Sequence, residues 1–224
     1  MKGRFITFEG GEGSGKSTQI KLLAEAIKNG GKEVVATREP GGSVGAEQIR
    51  KLLVTGDADW DDTTETLLFF AARRDHLVHK ILPEIKKGKI VLCDRFADST
   101  MAYQGYGYGN NPVQQKLINN LYKDVVGDFK PDLTILLDIP VAVGLVRSRR
   151  VDNTELRFEN KELAFHERLR QAYLDMAKSE PDRFVVVDAT QPVMTIHQQI
   201  MQAMMDRLIF RKDYHKCLNK SRDR

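Results

Sequence analysis

Only two of the 224 residues are cysteine, and they make a poor disulfide couple: Cys93 lies in an apolar, strand-like run and Cys217 in a polar tail. A disulfide framework is excluded, and two reduced, structural thiols are expected. Long hydrophobic runs are missing as well. Met1-Lys2-Gly3-Arg4 leads straight into Phe5-Ile6-Thr7-Phe8 without an apolar leader, and no later stretch reaches the roughly 20 apolar residues that a bilayer span needs. These absences predict a cytoplasmic protein with no membrane partner. A broad excess of one charge is lacking too. The formal charge is +4, and residues 211–224, with six Lys or Arg against two Asp, carry all of it. The rest of the chain is formally neutral, so no nucleic-acid partner is expected, and the basic tail is expected to be disordered.

What is present suits one α/β domain over residues 1–210 followed by that tail. Five apolar, β-branched runs read as buried strands: Arg4 to Phe8, Glu33 to Thr37, Lys89 to Cys93, Leu133 to Leu137 and Phe184 to Val187. Stretches with helical spacing separate and follow them: Ser17 to Lys28, Ala46 to Val54, Thr64 to Lys87, Pro112 to Val126, Val141 to Arg149, Lys161 to Lys178 and Thr195 to about Phe210. Apolar strands alternating with helices predict a five-stranded parallel sheet covered on both faces. Ligands of such sheets bind at the carboxyl ends of the strands, where this chain has Glu9 and a glycine loop, Arg38 to Gly42, Asp94-Arg95-Phe96, Asp138, and Asp188-Ala189-Thr190. The polar stretch from about 147 to 160 reads as a mobile lid.

Gly10-Gly11-Glu12-Gly13-Ser14-Gly15-Lys16-Ser17 matches G-x-x-x-x-G-K-[ST] without a mismatch, between a predicted strand and a predicted helix. Glycines let successive backbone N–H groups converge on a phosphate, the helix offers its positive end, and Lys16 supplies a point charge to the β- and γ-phosphates. The Ser17 hydroxyl suits Mg²⁺, and Thr18 follows it at the helix start. A plain glycine turn would leave Lys16-Ser17 without a purpose. GTPase switches and motors share the loop, but Asn160-Lys161-Glu162-Leu163 and Asn219-Lys220-Ser221-Arg222 both lack the Asp of the guanine-reading N-K-x-D. A motor would usually need a larger chain, so the loop, which by itself predicts nucleotide phosphate binding, is read first as that of an ATP-dependent kinase of the P-loop NTPase class. Asp94 can hold a Mg²⁺-bound water and Arg95 can bridge donor and acceptor phosphates; the bland alternative is a buried structural pair. Phe69 and Arg73, four apart on one helix face, can form a flat wall with a donor at its edge, or else ordinary core beside a solvated charge.

With the loop, Thr37-Arg38-Glu39-Pro40-Gly41-Gly42, Phe69 and Arg73, Asp94-Arg95-Phe96 and Tyr103-Gln104-Gly105 in this order, the chain resembles the thymidylate kinase family from residue 4 to about 192. The resemblance implies an adenylate-kinase-like fold, dTMP and ATP as substrates, Mg²⁺ as cofactor and a homodimer. It implies that Phe69 stacks on thymine and Arg73 bonds its O4. Glu39 and Arg50 would hold the dTMP phosphate region, with Glu39-Pro40 a candidate cis peptide. Thr100, Tyr103 and Gln104 would complete the pocket, with Tyr103 crowding the 2′ position and Glu12 on the 3′-OH side. Some relatives carry Arg at the place of Gly13, and this chain does not, which moves the expected catalytic cation into the lid among Arg147, Arg149, Arg150 and Arg157. Arg150 is the choice for catalysis and Arg147 for the adenine side. Leu156-Arg157-Phe158-Glu159 departs from the Asp-Arg-Ile-Glu common in relatives, which leaves the lid register open by about a residue.

His76 and His79 share a helix face but have no third ligand in the pattern, so they are expected to be solvated. Met194, Met201, Met204 and Met205 read as an adaptable packing stripe. Two competing functions are a broader small-metabolite kinase, with the loop but not the base pocket, and a nucleotide-binding switch without turnover. Because residues 211–224 hold the whole net charge and are expected to be disordered, a chain ending at residue 210 is expected to keep most of its kcat in a steady-state assay; loss of most of it would show that the tail takes part.

Overall fold

The computed structural model describes residues 3–54, 58–148 and 161–208. All five predicted strands form: β1 (Arg4–Glu9), β2 (Val34–Arg38), β3 (Ile90–Asp94), β4 (Leu133–Asp138) and β5 (Phe184–Asp188). Each extends one residue further at its carboxyl end than the apolar pattern, because the ladder continues into the polar residues that face the ligand side. They make one sheet in the order β2-β3-β1-β4-β5, every pairing parallel. The chain places β2 and β3 on one side of β1, then crosses to β4 and β5 on the other. The crevice above β1 and β3 is thus the topological switch point where such sheets bind ligands.

Helices among the described residues are α1 (Lys16–Asn29), α2 (Val44–Val54), α3 (Asp62–His76), α4 (Leu82–Lys86), α5 (Ala97–Thr100), α6 (Pro112–Val125), α7 (Val141–Ser148), α8 (Leu163–Ser179) and α9 (Val193–Leu208). The period-2 alternation of the strands sends Ile6, Phe8, Ile90 and Leu92 to one face, against Ile20, Leu23 and Ile27 of α1 and Ile196, Ile200 and Met204 of α9. Phe5, Val91 and Cys93 point the other way, against Phe70 of α3 and Ile118 of α6. Cys93 is a buried free thiol, as its strand predicts; Cys217 lies outside the described residues. Of the methionine stripe, only Met204 is fully in the core, while Met194 is exposed.

Several helix expectations are corrected. The single helix read from Thr64 to Lys87 is broken by a π-helical turn at Leu77–Ile81, before α4. Pro83 has no N–H for the carbonyl four residues back, and the turn widens before it, with the Leu82 N–H on Leu77 O. A second π-helical segment, Met101–Gly107, follows α5 where the sequence pattern suggested no helix. Its glycines allow close packing: a Cβ on Gly107 would stand 2.5 Å from the Phe165 ring of α8. The helix read as starting at Lys161 starts at Leu163; the one read from Val141 to Arg149 is described from Val141 to Ser148, and Arg149 lies outside the described residues.

Candidate active site

β1 delivers the chain into the glycine loop at Gly10, where φ is +137° and a Cβ would stand 2.5 Å from the Leu137 carbonyl oxygen, so a side chain is excluded. Gly15, left-handed at φ 89°, turns the chain into α1. Gly13 explains the missing loop arginine. It has φ +67°, and a Cβ there would lie 2.0 Å from the carbonyl oxygen of Gly144 on α7. Lys16 is buried, with Nζ donating to the Gly10 and Gly11 carbonyls at 3.1 Å each. Burial and the neighbouring Arg95 push its pKa down, against the pull of Asp94, Glu12 and Glu9. Ser17 Oγ donates to Asp94 Oδ2 at 3.0 Å, joining the start of α1 to the end of β3.

Next to Asp94, Arg95 has a left-handed backbone, φ 66°, rare outside glycine and Asn/Asp. That turn aims its guanidinium across the crevice: Nη1 donates to Gly10 O (3.0 Å) and Ser99 Oγ (3.2 Å), and Nη2 to Glu12 Oε1 (3.0 Å). Tyr103 also donates to Glu12 Oε1, at 2.6 Å, and its ring centroid lies 4.9 Å from the Arg95 Cζ. Burial pushes the Glu12 carboxyl up, but Arg95, Lys16 and the Tyr103 hydroxyl outweigh it and hold the group at about 2. Beneath them Glu9 is fully buried. It accepts from the Phe96 N–H (2.8 Å), Ser99 Oγ (2.6 Å) and Tyr173 OH (3.1 Å). Burial first, and repulsion from Asp98 second, push Glu9 up to about 8, against Ser99, Arg95 and the Phe96 N–H.

The other wall of the crevice is built on α3 and on the loop after β2. Arg73 is buried, contrary to the solvated alternative; its Nε donates to Glu39 Oε2 (2.8 Å) and its Nη2 to Thr100 Oγ1 (2.9 Å) and Phe96 O (3.2 Å). Its Nη1 is buried with no hydrogen-bond partner, an orphan donor of the kind a ligand acceptor would satisfy. The Glu39-Pro40 peptide is cis, and Arg50 Nη1 donates to the Pro40 carbonyl at 2.6 Å. Gln104 Nε2 donates to the buried Glu65 Oε1 at 2.7 Å, which leaves its amide oxygen for another partner. His76 corrects the expectation of a solvated side chain: it is fully buried, while His79 is exposed beside Asp75. Among the described residues no group of three metal-ligating side chains occurs.

One cleft of about 540 Å³ gathers these walls. Glu12, Gly13, Ser14, Gly15, Lys16, Ser17 and Thr18 line it, with Asp94, Arg95, Glu39, Arg50, Phe69, Arg73, Thr100, Tyr103, Gln104 and Arg147. Gly10 and Gly11 line a smaller recess beside it. Arg147 is turned toward the β5 end, donating to Ala189 O at 2.7 Å. Arg149, Arg150 and Arg157 lie outside the described residues. Sequence reasoning missed Ser99 and Tyr173, which hold Arg95 and Glu9, and also Glu65 and His76. None belongs to a motif, and the one available signal was a polar residue at helical spacing from a predicted contact.

The Thymidylate kinase family model matches residues 8–200. The chain belongs to the thymidylate kinase family. Curated relatives agree: it is 53% identical to the thymidylate kinase of Caulobacter vibrioides, over 92% of this chain and 98% of that one, and 49% identical to that of Magnetococcus marinus with the same coverage. A crystal structure of thymidylate kinase from Ehrlichia chaffeensis superposes with a TM-score of 0.74 at 37% identity, covering 92% of this chain and 99% of the other. The expected adenylate-kinase-like P-loop architecture is the one observed. No helix among the described residues is long and apolar enough to cross a membrane.

Glu9 makes stability pH-dependent. Its folded pKa is raised from 4.5 to about 8, so its contribution is fully present below about pH 4.5 and is lost as pH rises through about 8. Glu9→Gln, neutral throughout, is expected to lose less melting temperature between about pH 6 and pH 9 than the parent. An equal or larger loss in E9Q would contradict the assignment.

Proposed function

We propose how the cleft carries out the chain's reaction, the ATP-dependent phosphorylation of dTMP to dTDP. The observation that carries the proposal is the buried, unpartnered Nη1 of Arg73, a residue that lines the same cleft as the phosphate loop. The loop from Gly10 to Ser17, with Thr18, cradles the ATP phosphates through backbone N–H groups and the α1 terminus. Lys16 leaves the loop carbonyls for the β- and γ-phosphates. Ser17 and Asp94, a hydroxyl and a carboxylate 3.0 Å apart, are the hard oxygen donors that suit Mg²⁺. They would hold the ion, which when bound supplies charge neutralisation on the phosphates. Arg95, pinned between Gly10 and Glu12, lies where donor and acceptor phosphates meet and offsets charge on the transferring group. Arg147 serves the adenine side, and Arg150 supplies the lid cation.

On the acceptor side, Phe69 stacks on thymine, Arg73 Nη1 donates to O4, and the Gln104 amide oxygen and Thr100 complete the base edge. Cytosine presents an amino group where thymine presents O4, and would leave Arg73 unpaired. Tyr103, held by Glu12, closes the 2′ side, Glu12 faces the 3′-OH side, and Arg50 with Glu39 borders the phosphate. One kinase domain over 1–210 acts as a homodimer, supported by exposed apolar Leu52, Leu67, Val78 and Leu82 on neighbouring helices. The cytoplasm is its compartment, in keeping with the buried free thiol of Cys93.

ADP release measured with dTMP, dUMP, dCMP, AMP and GMP is expected to be fastest with dTMP; a clear preference for another acceptor overturns the reading. Arg73→Ala is expected to raise the dTMP KM at least about tenfold and to narrow the margin over dCMP. Sedimentation is expected to give twice the 25.4 kDa chain mass, and a monomer at working concentration would refute the dimer.

A further inference from the structure

His76 belongs to no motif and does not line the cleft, yet it is fully buried at the carboxyl end of α3, three residues after Arg73. Its Nδ1 lies 3.0 Å from Glu39 Oε1, and its Nε2 lies 2.7 Å from Thr37 Oγ1. The other oxygen of the same carboxylate accepts from Arg73 Nε at 2.8 Å. Four side chains therefore run in series from β2 to the cleft: Thr37, His76, Glu39, Arg73. The carboxylate oxygens only accept, so Nδ1 donates to Glu39 and Nε2 pairs with the Thr37 hydroxyl.

The loop that carries Glu39 is shaped around this imidazole. Gly42 has φ +89°, and a Cβ on it would stand 2.4 Å from both His76 Nε2 and Thr37 Oγ1. Its N–H donates to Glu47 Oε1 at 2.8 Å, which closes the loop from the far side. The second glycine of Glu39-Pro40-Gly41-Gly42 thus lies directly over the His76–Thr37 pair. Without the Nδ1 donor, Glu39 Oε1 becomes a buried acceptor with a lost partner, and the carboxylate is free to turn away from Arg73. A guanidinium that must offer one N–H to a base edge tolerates little rotation.

We propose that His76 is a positioning residue for acceptor recognition: through Glu39 it sets the orientation in which Arg73 presents Nη1 to the base. This rests on the reading of Arg73 as the base contact, and the tests separate the two. His76→Gln places an amide near the Nε2 position and abandons Glu39, whereas His76→Asn places one near Nδ1 and keeps the donor. H76Q is expected to raise the dTMP KM about tenfold and to narrow the preference for dTMP over dCMP, with the ATP KM within about twofold of the parent. H76N is expected to recover most of that loss. Thr37→Val, which keeps the β-branch on β2 and removes the hydroxyl behind the ring, is expected to show the same acceptor-only effect at about threefold.

A folded H76Q with an unchanged dTMP KM overturns the proposal, as does an H76N as impaired as H76Q, because a role in packing alone would not distinguish the two nitrogens. Should H76Q fail to fold, T37V decides: an unchanged dTMP KM rejects the relay. R73A measured alongside separates the two levels. If R73A loses acceptor selectivity and H76Q does not, only the relay fails; if R73A is also unaffected, the base-contact reading fails with it.

Discussion

Arg95 and the two carboxylates around it form the junction on which the rest of the site hangs. Strands β1 and β3 end side by side, and at that edge one guanidinium bonds Gly10 of the phosphate loop, Glu12 inside the loop, and Ser99. Ser99 and Tyr173 in turn bond Glu9, the last residue of β1. The phosphate loop, the segment bearing Thr100 and Tyr103, and helix α8 are thus tied to one point. The left-handed backbone of Arg95 makes this possible, and the surrounding bonds hold a conformation that an isolated chain would avoid.

That junction is electrostatically demanding. Buried ion pairs regain through their partners roughly what desolvation costs, so they are weak evidence for stability in themselves. Here the two carboxylates diverge: Glu12, facing Arg95 and Lys16, is held at about 2, while Glu9, buried below them, rises to about 8. One acid stays charged to orient a cation, and the other is buried where burial and Asp98 outweigh its donors. Lys16, folded on the loop carbonyls, and Arg73, with its unpartnered Nη1, place cationic donors on both walls of the cleft. A site with positive donors in reserve at both ends is arranged to receive two anionic nucleotides at once.

The strand ends and the glycine loop were legible because each is a local property. Apolar β-branched runs mark buried strands whatever their neighbours, and Gly10 to Ser17 carries its function in its own backbone. The π-helical turns were not legible. The first precedes Pro83, and the second packs Gly107 where a Cβ would meet the Phe165 ring, features that a periodicity count does not register. His76 was misread for a related reason: a histidine at the end of a helix resembles a surface residue until the loop from Glu39 to Gly42 folds over it.

By itself, then, the sequence determined a parallel sheet, a phosphate loop at its central strand, and a set of polar residues at the strand ends resembling one kinase family. These depend on short-range steric and hydrophobic preferences that each segment carries alone. Only the tertiary structure decided why Gly13 has no side chain, which oxygen of Glu39 faces Arg73, and which carboxylate near Arg95 is pushed up. Those answers depend on atoms brought within about 3 Å from segments far apart in the chain, and charge and hydrogen bonding act over such distances rather than along sequence.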